Sequence, residues 1–74
     1  MNGKSIIAVS SVTYAMKGAD LLAKNKIKRR IVKLKPDETK RGCMYGISVS
    51  SDDTENAARI LRAGAVDYSE IIRE

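Results

Sequence analysis

The stretch "RRIVKLKPDETKRGCMYGISVS", Arg29 to Ser50, decides the fold. It opens on a sharp alternation, with Val32 and Leu34 on one side and Ile31, Lys33 and Lys35 on the other. That two-residue period predicts a half-exposed strand. Pro36, which has no backbone N–H to give a ladder, ends it, and "PDETKRG" is a loop. "CMYGISVS" then predicts a second strand, with Cys43, Tyr45, Ile47 and Val49 sharing one side and Met44, Gly46 and Ser48 the other. The middle of the chain is thus two consecutive strands.

On either side of this pair lies one helix, and beyond each helix one more strand. "KSIIAVSS" is a short β-branched run predicting a buried strand from Ser5 to Val9, and Ser10 or Ser11 suits the N-cap of a following helix. In that helix Val12, Ala15, Ala19 and Leu22 fall on one face with Met16 and Ala23 alongside, while Lys17, Asp20 and Lys24 point away. Asp20 and Lys24 are spaced as an i,i+4 ion pair. Gly18 costs such a helix about 1 kcal/mol relative to Ala, which predicts close packing on a sheet. Downstream, "SDDTENAARILRAG" predicts the second helix. Asp52 caps it, Glu55 stands three residues on, Gly64 sits at the end, and Ala57, Ala58, Leu61 and Ala65 face inward. "VDYSEIIRE" leaves a last strand around Ser69 to Arg73.

Strand, helix, strand, strand, helix, strand is the ferredoxin-like βαββαβ order. It predicts an α+β fold with one four-stranded antiparallel sheet and two helices on one face. Residues 1–74 leave no room for a second domain. In this topology the first and third strands are central neighbours, so the start of strand three lies beside the end of strand one and the start of the first helix.

A domain of 74 residues buries only about 60% of the surface its unfolded chain exposes, so a deep enzymatic cleft is disfavoured against a carrier, a binding module or a subunit. The single cysteine excludes an intrachain disulfide and favours a reducing cytoplasm. The absence of histidine removes the usual general base and zinc ligand, and no metal or cofactor site is expected. Ser and Thr interrupt "SIIAVSSVTYAM", which argues against a secretory leader, and no apolar run approaches the ~20 residues of a membrane helix. Charge is uneven: the net +5 divides into +8 over residues 1–42 and −3 over residues 43–74. The cations of "KNKIKRRIVKLK", Lys33 and Lys35 among them, suit steering of an acidic partner, or simply protection of an edge strand.

Cys43 is the one side chain able to act as a strong nucleophile. Cations and helix N-termini favour the thiolate. Lys40 and Arg41 stand beside Cys43 in the chain, and the fold brings the amides behind Ser10 and Ser11 toward the same sheet edge. Gly42 and Gly46 fit a place where the backbone turns tightly or is approached closely. Against this, free cysteine is among the most buried residue types, and Cys43 shares parity with Ile47 and Val49 on the core side. The residues leave an inert buried thiol and a reactive one both open; a position at the loop end of a strand favours partial exposure.

"KLKPDETKRGCMYGISVS", together with the leading "IIAVSSVTYAMKGADLLAKNKI" and the closing "AARILRAGA", resembles a small bacterial family of selenium/sulfur carrier-like proteins of unknown function. The resemblance covers nearly the whole chain. It implies transient carriage of sulfur or selenium on Cys43 as a persulfide or perselenide, with donor and acceptor proteins as partners, and a carrier or accessory role rather than turnover of its own.

Two other readings compete. The RNA recognition motif has this topology, and "RGCMYG" places Arg41, Gly42 and Tyr45 like its third strand. Strand one, however, offers Ile6, Ile7, Ala8 and Val9 where a stacking ring belongs, so nucleic acid is disfavoured. The other reading is a small interaction domain, pairing as a homodimer through an open sheet face that carries Ile31 and Met44.

Overall fold

The structure, a computed structural model, describes residues 3–35, 37, 39 and 42–73. Its elements are β1 (Lys4–Val9), α1 (Val12–Lys24), β2 (Arg29–Lys33), β3 (Tyr45–Ser50), a 3-10 turn (Ser51–Asp53), α2 (Thr54–Ala63) and β4 (Glu70–Arg73). The strands form one antiparallel sheet in the order β2-β3-β1-β4, the ferredoxin-like arrangement. β1 and β3 are the central pair, in a register that sets Ile7 opposite Ile47 and Val9 opposite Tyr45. β2 and β4 are the edges.

The alternation of side chains along these strands makes two apolar clusters. On the helix side, Ile7, Ile47 and Val49 of the sheet meet Leu22 of α1, Ala57 and Leu61 of α2, and Ile27 and Val66. Full burial of one such aliphatic side chain is worth about 1.5–3 kcal/mol, so this cluster is the main source of stability. Gly18 sits where α1 crosses it. A Cβ there would stand 2.7 Å from Ile47 Cδ1 and 2.9 Å from Leu61 Cδ2, so glycine is what lets the helix approach the sheet.

Among the described residues, the opposite side of the sheet carries no α-helix, and the molecule measures only 16 Å along its shortest axis, the depth of two layers. Even so, a second cluster lies on that side: Ala8, Leu34 and Cys43, with Ile6, Val32 and Ile72 packed against them.

Several local expectations need correction. The buried stripe of α1 is Ala15, Gly18 and Leu22, flanked by Tyr14 and Leu21, while Val12 and Met16 are exposed at 44% and 60%. One hundred degrees per residue sets Met16 far around the helix from Gly18 and Leu22, and a two-layer fold offers it no partner. Ile31 lies on the helix side, because it registers with Ile47, whereas Val32 registers with Gly46 on the helix-free side. Ile31 is still exposed, since β2 is the edge strand.

At α2, Asp52 is not the cap. The 3-10 turn precedes the helix, Ser50 Oγ accepts from Asp52 N at 3.4 Å, and Asp53 occupies the N-cap without a side-chain bond. At its far end Gly64 has φ −89°, and the left-handed residue is Ala65 at φ +61°, which is exposed and hands the inward place to Val66. Ser11 caps α1 as the sequence suggests, accepting from Tyr14 N at 3.2 Å, and the Asp20–Lys24 pair forms at 3.3 Å.

Candidate functional site

Three chain segments converge where β1 ends. β3 and β4 both run antiparallel to β1, so the starts of both lie against its last residues. Ser69, just before β4, donates its N–H to Ala8 O at 2.8 Å, and its hydroxyl approaches the same carbonyl at 3.3 Å. From the other side comes Cys43, two residues before β3, with Sγ 2.8 Å from Ser69 Oγ. The chain reaches this position through Gly42, whose φ of +69° is one that glycine adopts without Cβ strain.

Thr39 fixes the backbone of Cys43. Its Oγ1 accepts from Cys43 N at 2.6 Å and lies 3.5 Å from Cys43 O. Just beyond, Leu34 N donates to Met44 O at 2.7 Å, which holds the end of β2 against the start of β3. Cys43 and Thr39 are both buried, at 6% and 8% exposure. Gly46 completes the floor: a Cβ there would lie 2.5 Å from Ile6 Cγ2 and 3.2 Å from Leu34 Cδ1, so its absence lets both side chains close over the sheet beside the sulfur.

This differs from expectation in two respects. Cys43 does not share the side of Ile47 and Val49. β3 begins at Tyr45, so strand parity does not extend back to Cys43, and the turn at Gly42 delivers the sulfur to the helix-free cluster. Nor is the thiol half exposed, because Leu34 and Ala8 pack against it.

Among the described residues, the hydrogen-bond partners of Cys43 are Thr39 and Ser69 rather than the amides behind Ser10 and Ser11. Ser10 is exposed and Ser11 is engaged as the helix cap. Gly42 is exposed and Gly46 buried, both close to Cys43 in the chain; Lys33 and Lys35 are exposed on and just after the β2 edge. Lys40 and Arg41 lie outside the described residues. Thr39 and Ser69 are the residues that sequence reasoning missed. The topology held the signal for Ser69, since strand four must begin beside the end of strand one; for Thr39 no pattern marks it before the loop is folded.

The chemistry available is that of a thiol with an adjustable hydroxyl neighbour. With the thiol neutral, S–H can donate to Ser69 Oγ while the serine proton turns to Ala8 O. With the thiolate, the same hydroxyl can turn its proton to sulfur. As for base stacking, the helix-free face bears no ring: Tyr14 is on α1, Tyr45 takes the side of Ile47, and Arg62 donates to the Tyr68 hydroxyl at 2.7 Å.

The model of the family described as "Putative Se/S carrier protein-like" matches residues 4–73. The chain belongs to that family. The match spans every strand and helix of this Se/S carrier-like chain, and with them Cys43, Thr39 and Ser69. Neither curated proteins nor solved structures give a significant match. Among the described residues, no helix is long and apolar enough to cross a membrane.

Proposed function

We propose that this protein carries sulfur or selenium on Cys43 as a persulfide or perselenide, passing it between a donor and an acceptor protein in a reducing cytoplasm. The observation that carries this reading is the contact of Cys43 Sγ with Ser69 Oγ at the meeting point of three strands, in a chain of the carrier-like family with one cysteine.

The transfer balances without an outside oxidant. Cys43 thiolate attacks the outer sulfur of a donor persulfide; a new S–S bond forms at Cys43, the donor's S–S bond breaks, and the donor leaves as a thiolate. The acceptor's nucleophile then takes the outer sulfur and returns Cys43 as thiolate. Selenium follows the same path. In this scheme Ser69 stabilises the anion at both ends of the cycle by donating its proton to sulfur. The cations Lys33, Lys35, Lys40 and Arg41 favour encounter with an acidic partner.

Burial gives the scheme a second requirement: the contacts of Leu34 and Thr39 around Cys43 must open for loading, and their closing shields the cargo. Incubation with a persulfide donor followed by intact mass spectrometry tests the proposal. Wild-type protein should gain one sulfur atom, Cys43→Ser none, and Ser69→Ala should load several-fold more slowly with an unchanged circular dichroism spectrum. Failure of the wild type to gain sulfur from any donor while its thiol stays titratable would end the reading.

A further inference from the structure

The helix-free face has a second half. Below the apolar cluster, β1 and β3 present Lys4 opposite Ser50, and β2 sets Arg30 opposite Ser48. All four side chains take the side of Ile6 and Gly46. Together with Gly3, Lys28, Arg29, Val49 and Asp53 they line a groove of about 490 Å³, within the ~300–1,000 Å³ range of small-molecule sites. Lys4, Lys28 and Arg30 meet one carboxylate there, while Arg29, paired with Val49, turns toward the helix side. The side chains of Lys4, Lys28 and Arg30 form no hydrogen bond or ion pair with other described residues, and that of Arg29 spends Nε on Ala19 O at 3.2 Å.

We infer that this groove binds a compact ligand bearing two or more linked phosphates. Guanidinium groups match phosphate oxygens two at a time, lysines add point charge, and the Ser48 and Ser50 hydroxyls supply short neutral donors between them. A lone monophosphate carries less charge than these cations offer, whereas a linked chain can match more of it. No aromatic ring lines the groove, so a stacked base adds nothing and recognition rests on the phosphates. The groove is also set apart from the sulfur. It lies at the Lys4 end of β1, roughly 17 Å from the Val9 end near Cys43 at about 3.3 Å per residue. Phosphate binding therefore stands independently of chalcogen carriage.

The test titrates the full-length protein with inorganic tripolyphosphate, pyrophosphate and orthophosphate, and separately with a labelled single-stranded RNA, following backbone amide shifts. Tripolyphosphate should bind more tightly than orthophosphate and move the Gly3, Ser48 and Ser50 amides. The Lys4→Ala/Arg30→Ala double variant should bind about tenfold or more weakly. Both sites are exposed, so the fold should persist, as the unperturbed amides will report. Lys33→Ala and Cys43→Ser should bind like wild type, which also separates this inference from the fate of the carrier reading. Three outcomes overturn it: no saturable shift at low ionic strength, equal affinity for orthophosphate and tripolyphosphate, or preferential binding of RNA with shifts running along β2 and weakened by Lys33→Ala.

Discussion

Replacing Thr39 by alanine removes the acceptor that Cys43 N–H meets at 2.6 Å, at a place where both residues are more than nine-tenths buried. An amide left unpaired inside the protein costs about 1–3 kcal/mol, and it recovers water only when the segment opens. The closed state therefore loses that amount while the open state loses little, and the opening equilibrium rises about 5- to 150-fold. With rapid opening and closing, alkylation of Cys43 by iodoacetamide rises by the same factor.

The same substitution also lowers global stability, so the acceleration alone does not tell local opening from unfolding. The urea dependence does. Complete unfolding of a small domain carries a slope of about 1–3 kcal/mol per molar urea, whereas release of Leu34 and Thr39 from the sheet exposes a small part of that surface. The wild-type alkylation rate should change little with urea below the unfolding transition, and that of Thr39→Ala should be uniformly faster and equally flat. If the rates of both proteins instead follow urea with the full global slope, the sulfur is reached only through unfolding, and a carrier whose cargo must be exchanged in the folded state is ruled out.

Three further substitutions test the packing around this site. Gly18→Ala sets an overpacking cost of about 1–3 kcal/mol, from Ile47 and Leu61, against a helix-propensity gain of about 1 kcal/mol; a lower Tm is expected, and a higher one would show that α1 lies farther from the sheet. Ser5→Ala should raise stability by about 1 kcal/mol, because Ser5 Oγ is buried without a hydrogen-bond partner among the described residues; thermal melting gives the sign, and a fall means that the hydroxyl is satisfied in solution. Gly46→Ala pushes a methyl group onto Ile6 and Leu34 and should both lower Tm and speed Cys43 alkylation, the second effect being absent if Leu34 does not cover the thiol.

The sheet was legible because its signals are periodic and mutually consistent. Two-residue alternation in "KRRIVKLK" and "CMYGISVS", a Ser cap before α1 and the order of elements all point to one topology, and the β1–β3 pairing follows from it. What alternation does not encode is which side of the sheet a residue takes once the strand has ended. Cys43 illustrates this: two residues of non-strand backbone and a left-handed glycine separate it from Tyr45, and those few torsions move it from the helix-side core to the opposite cluster. The side that Ile31 takes escapes the alternation for a related reason. Its neighbours Lys33 and Lys35 mark their side as solvent, which is true, but on an edge strand both sides meet solvent and only the pairing with Ile47 shows which one holds the helices.

The same reasoning explains how this small fold keeps a thiol apart from its main core. Two helices cover one side of the sheet, and the chain's own β2–β3 connection, through Leu34, Thr39 and Cys43, covers part of the other. A thiol packed between Leu34 and Ala8 takes little from the main core. It sits beside a hydroxyl that belongs to a different strand, so its environment depends on tertiary pairing rather than on neighbouring sequence. Opening that cover breaks the Thr39 bonds and parts Leu34 from Ala8, and it leaves Ile7, Leu22, Ile47 and Leu61 in place. Under the proposed carriage, the sulfur is then exposed at a cost set by the smaller cluster, below the ~5 kcal/mol at which small domains unfold altogether.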